Sequence, residues 1–158
     1  MYARTAAAST GANSYAKIGL QSAVMSASPH QLITMLFAGA KTAITMARHH
    51  MANHEIAAKG KAISKAINII DNGLKASIDT EAGGAAEIAL ATNVSALYDY
   101  INQRLMYANL RNDPALLDEA ERLLDNIGSA WREIDPQKSH AMPEASNDHA
   151  SPRFSAGA

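Results

Sequence analysis

His50 and His54 stand four apart, the interval that places two imidazoles on one helix face, where a metal site can begin. Asn53 lies between them and Glu55 follows, but no third ligand stands nearby, so no metal is expected. A di-iron bundle would need inward glutamates and two Glu-x-x-His motifs, and the chain has no such motif. Gly-x-Ser-x-Gly and phosphate-loop patterns are also missing, and DTEAGGAAEIAL lacks the lysine and the preceding strand that phosphate binding requires. The acidic run LDEAERLLD falls mainly on the polar side of a helical pattern, where carboxylates are solvated rather than paired for acid–base work. With no cysteine there is neither a thiol nucleophile nor a thiolate ligand. The residues point away from an enzyme, and no cofactor is implied.

The chain is long enough for one domain at 158 residues, and 47% of it is hydrophobic while only 5% is aromatic. Most of the apolar share is Ala, Leu, Ile and Met, so an all-α domain is expected. Fourteen Lys and Arg against 15 Asp and Glu leave no basic excess to attract nucleic acid or an anionic membrane. No leader-like N-terminus and no apolar run of about 18 residues occurs, so a soluble, cytoplasmic protein is expected, without membrane insertion.

Four long helical patterns must position whatever the chain binds with. SPHQLITMLFAGAKTAITMARHHM opens with Ser28 as a cap, Pro29 at the first helical position and Gln31 placed for a capping box. A second pattern runs from Glu55 to Ile78 with Ile63, Ile67, Ile70, Leu74 and Ile78 on one face. After the turn residues 79–84, a third runs from Ala85 to Leu110 on a seam of Val94, Leu97, Tyr98, Ile101, Leu105 and Ala108. Asp113 and Pro114 start a fourth, whose stripe is Leu116, Ala120, Leu123, Ile127, Ala130, Trp131 and Ile134. Short connections favour an antiparallel, up-and-down four-helix bundle over residues 14–135. Ser14–Met25 is expected to add a short helix that caps it. Residues 1–13 and 136–158, poor in large apolar side chains beyond Met142 and Phe154, are expected to be mobile ends.

The first long helix has more apolar surface than one interface requires. Leu32, Met35, Leu36, Gly39, Ala43 and Met46 make one stripe, and Ile33, Phe37, Ala40, Ile44 and Met51 make a second beside it. The next helix flanks its core stripe with the small set Ala62, Ala66, Ile69, Gly73 and Ala76, and the third sets Tyr100, Arg104 and Tyr107 off its seam. An inner helix that touches two neighbours needs a wide stripe. A groove that takes an amphipathic helix from a partner would leave the same signature, as would a homo-oligomer that buries these faces.

Four stretches bear on the choice, with the homo-oligomer kept as the alternative. SYAKIGLQSAVMSASPHQLITMLFAGA, KGKAISKAINIIDNGLKASID, EIALATNVSALYDYINQRLMYANLRND and LLDNIGSAW, in this order between about Tyr15 and Trp131, resemble the flagellar secretion chaperones of the FliS family. The resemblance implies an antiparallel four-helix bundle with a short N-terminal helix. It also implies a non-enzymatic, cytoplasmic export chaperone that binds the disordered C-terminal segment of flagellin one to one, prevents its premature polymerisation and presents it to the export gate protein FlhA. On that reading Ile33, Phe37, Ala40, Ile44, Met51, Ile69, Tyr100, Arg104 and Tyr107 are the candidate flagellin contacts, and Tyr15 belongs to the segment that influences handover to the gate. The chain departs from the family pattern in four places. Ala12 stands where a larger apolar residue is usual, Ala38 replaces a common aspartate, AAEIALAT adds about one turn, and the segment after Asp135 matches no pattern.

Overall fold

The structure is a computed structural model that describes residues 3–136, without the side chains of residues 3–10, 12 and 13. It is all-helical in its described part: α1 (Ala3–Ser26), α2 (Pro29–Ala52), α3 (Ile56–Ile69), α4 (Ala85–Arg111) and α5 (Pro114–Glu133). The last four form the antiparallel bundle. Their pairings give its direction. Lys41 meets Asp125 at 2.5 Å while Arg48 meets Asp118 at 2.9 Å, so α5 descends as α2 climbs. Lys75 reaches Asp99 at 2.5 Å and Lys59 reaches the Asn109 carbonyl at 3.0 Å, which sets α4 antiparallel to α3.

The starts of α2 and α5 follow from their caps. The Gln31 backbone N–H donates to Ser28 Oγ at 3.2 Å, and the Ser28 N–H donates to Gln31 Oε1 at 2.9 Å, closing the expected capping box. Asp113 accepts from the Ala115 N–H at 3.0 Å, with Pro114 at the first helical position. Asn112 ends α4 in the left-handed region at φ 50°, and the buried Lys59 ammonium bonds both its side chain and the Asn109 carbonyl. A lysine is tolerated inside because the carbonyl end of α4 offers it acceptors and a favourable dipole.

α2 lies between α3 and α5, and its two apolar stripes merge into one broad buried face. Phe37, Ala40, Ala43, Ile44 and Ala47 are buried, whereas Leu32, Ile33, Met35, Leu36 and Met51 are partly covered and Met46 is 49% exposed. The centre of the face therefore falls on the second stripe, not on the first. Leu36 sits over Gly73 on the α3 side and Phe37 over Gly128 on the α5 side, so the arc between them points at the bundle axis. The small-residue flank of α3 is likewise used within the bundle: Ala66 is buried, and Ile69 lies 3.5 Å from where a Gly39 side chain would begin. On α5 the buried positions are Leu117, Ala120, Leu124 and Gly128, one step round from the expected stripe.

The run expected as one helix over 55–78 changes its winding. Ile70–Leu74 form a π turn and Lys75–Ser77 a 3₁₀ turn, and this keeps both Ile70 and Leu74 in the core. At the N-terminus, the expected helix is present as α1 but begins at Ala3, within the segment expected as a mobile end; its residues 14–26 are exposed, and Ala23 and Ser26 line a hollow with His30, Thr34 and Arg132. The expectation placed on the Ala12 side chain, and the expected mobile segment after Pro136, lie outside the described residues.

Candidate functional site

Where α2 starts and α5 ends, the two helices are fastened by a reciprocal pair. The Trp131 indole N–H donates to the His30 carbonyl at 3.1 Å, and His30 Nε2 donates to the Trp131 carbonyl at 2.7 Å. Their rings stack with centroids 4.6 Å apart and planes 7° from parallel. A carbonyl can only accept, so the bond fixes the proton on Nε2 and leaves Nδ1 facing Asp135 at 4.0 Å. This clasp holds Trp131 as one wall of an apolar groove. Ile33, Leu74 and Ile78 continue the wall, Leu90 and Val94 of α4 face it, and Ile127 and Ile134 close it along α5. Its cavity is about 530 Å³, with Phe37 and Tyr98 as the floor. Their ring centroids are 6.4 Å apart, and burial pushes the Tyr98 phenol up to about 12.

A second groove follows the α3–α4 seam. Ile63, Ile67, Met106, Tyr107 and Leu110 line a cavity of about 760 Å³. Met106 is 62% and Leu110 79% exposed, as Leu90 is 65% exposed in the end groove. Both grooves are shaped to hold apolar side chains. Among the described residues no group of three or more His, Asp or Glu could hold a metal, and no helix is long and apolar enough to cross a membrane.

The sequence-derived contacts do not form one site. Phe37, Ala40 and Ile44 are bundle core, and Ala40 and Ile44 have no exposed surface. The cause is the position of α2 between two neighbours. Ile69 packs beside Gly39 in the α2–α3 seam. Ile33 lines the end groove, Tyr107 the α3–α4 groove, and Met51 a polar cavity at the opposite end with His50 and Lys59. Tyr100 and Arg104 join α4 to α5: the tyrosine hydroxyl donates to Glu119 at 2.6 Å and accepts from Arg104 Nε at 2.8 Å. Tyr15, 79% exposed, stands on α1 away from both grooves. The acidic run of α5 also has a structural use, since Asp118, Glu119, Glu121 and Asp125 all pair with basic side chains of α2 or α4.

Residues that sequence reasoning missed are Leu90, Met106 and Leu110 in the groove walls and the His30–Trp131 clasp. Met106 and Leu110, four apart and off the Leu105 seam, carried a readable signal. His30 and Trp131, 101 residues apart, carried none.

Compared with known proteins, the chain matches the family described as Flagellar protein FliS over residues 11–138. It is 55% identical over 130 residues to the flagellar secretion chaperone FliS of Salmonella typhimurium, an alignment covering 82% of this chain and 93% of that protein. The Escherichia coli protein of the same description is 48% identical over 126 residues, covering 80% and 90%. That of Bacillus subtilis is 31% identical over 113 residues, covering 72% and 80%.

Proposed function

Because the chain belongs to the FliS family of flagellar proteins, we propose that it works as a flagellar secretion chaperone that holds the C-terminal segment of flagellin in the cytoplasm, one client to one chaperone. The observation that carries this reading is apolar surface left open on a bundle whose core is already filled: Leu90, Met106 and Leu110 stand in groove walls with more than half of their surface exposed. A disordered amphipathic segment that turns helical on docking covers such surface, with anchors at helical spacing. While bound it cannot pair with other flagellin subunits. Delivery to FlhA then requires a feature that the client leaves uncovered. Tyr15, on a helix exposed beyond the bundle, suits that role.

Titration calorimetry of the full chain with a flagellin C-terminal peptide tests the reading. A stoichiometry of one, a negative heat-capacity change and a gain of helical circular dichroism over the separate components are expected. Absence of peptide binding, together with self-association of the chain in sedimentation, would favour a structural oligomer instead.

A further inference from the structure

The family match ends at residue 138, so residues 139–158 lie beyond it. The described chain reaches Pro136, and Pro136 itself lines the apolar hollow with Leu32, Ile33, Trp131 and Ile134 at the mouth of the end groove. The described residues thus end at the groove. The large apolar side chains of residues 139–158 are Met142 and Phe154, and they differ in company: Met142 is followed by Pro143 and Glu144, whereas Phe154 follows Arg153. On the far rim of the groove stand Asp79 and Glu87, neither of them ion-paired among the described residues, and no lysine or arginine lines it. An arginine beside an aromatic anchor complements that rim, and a glutamate does not.

We propose that residues 151–158 dock back into the end groove, with Phe154 between Leu90, Val94 and Trp131 and with Arg153 at the Asp79–Glu87 rim. The 18 residues from Pro136 to Phe154 span roughly 23 Å root-mean-square as a flexible chain, comparable with the width of two helices. At that length the segment acts on its own groove at an effective concentration on the order of millimolar. Even a weak anchor is then occupied for a substantial part of the time. The consequence for the client rests on the reading that the same groove takes flagellin: the segment competes with it and keeps the groove covered until it arrives.

Trp131 is the chain's one tryptophan and a wall of the groove, so its fluorescence reports occupancy without any client. Three proteins are compared: the full chain, a chain ending at Lys138, and Phe154→Ala. Both variants are expected to show Trp131 emission shifted to the red and more strongly quenched by acrylamide. A peptide of residues 147–158 added to the truncated chain reverses the shift at millimolar concentration. Flagellin peptide binds both variants about twofold tighter or more. Identical emission and quenching in all three proteins overturns the proposal, as does a difference that grows with protein concentration, which would mean a second copy supplies the segment. A changed Trp131 signal with unchanged flagellin affinity supports occupancy by the segment and overturns the reading of this groove as the client's.

Discussion

A side chain with no exposed surface anchors a partner only if the bundle opens, which places Ile44 and Leu90 in opposite roles. Ile44→Ala removes buried methyl groups from the centre of α2 and is expected to lower the unfolding free energy by about 2–5 kcal/mol in urea, while the folded fraction binds flagellin peptide with native affinity. Loss of affinity without loss of stability would return Ile44 to the client's surface. Tyr98 gives the clearest dependence on pH. Its phenol titrates near 12 in the folded chain because burial penalises the phenolate, against about 10 when unfolded. Below pH 10 both states hold the proton and Tyr98 adds no slope. Between 10 and 12 the unfolded chain releases it first, so stability falls as pH rises, by about 1 kcal/mol at pH 11. Tyr98→Phe should lose that part of the decline, which urea midpoints at pH 8 and 11 would reveal. Tyr15, exposed and outside the grooves, is expected to behave in a third way. Tyr15→Ala should keep peptide affinity and weaken binding of the loaded complex to FlhA, and unchanged FlhA binding would remove Tyr15 from the handover.

The helices were legible in the sequence wherever a local signal determined them. Ser28, Gln31, Asp113 and Pro114 mark starts because a cap is chemistry within one turn of chain. The seam of α4 was also readable, since Tyr98, Ile101, Leu105 and Ala108 face the core in simple helical period. What failed depended on neighbours. The centre of the buried face of α2 could not be placed without knowing that α3 and α5 lie on its two sides, and the π turn at Ile70–Leu74 contains Gly73, a poor helix former whose use is seen only once Leu36 packs over it. Gly128 shows the same limit. In sequence it looks like a weak point of α5, yet a methyl group there would sit 3.3 Å from Cγ and Cδ1 of the buried Phe37 ring. Gly128→Ala should therefore destabilise the bundle by about 1–2 kcal/mol despite its better helix propensity, because overpacking outweighs the backbone gain. A rise in thermal midpoint would show instead that the α2–α5 seam yields to the extra methyl group.

At the scale of the molecule, the two grooves lie in different parts of the bundle, one formed at the α2 start and α5 end and one along the α3–α4 seam. Neither was legible as a site. Each is made by residues of more than one helix, and the candidate contacts drawn from single-helix faces were divided among core, seams and both grooves. A single helical segment docked in one groove would leave the other open, whereas a longer client that wraps the bundle would use both. Leu90→Ser and Met106→Ser distinguish these geometries. Both side chains are mostly exposed, so each substitution should change folding stability by only about 0.5 kcal/mol or less. A wrapping client loses about 1–2 kcal/mol of affinity from either change, roughly tenfold in dissociation constant, and nearly the sum from both because the grooves share no lining residue. Calorimetry of the single and double variants with flagellin peptides of increasing length decides between them. Short peptides should feel only one substitution, and the length at which the second begins to matter measures how far around the bundle the client reaches. If Met106→Ser is silent at every length, the α3–α4 groove is not part of the client's path.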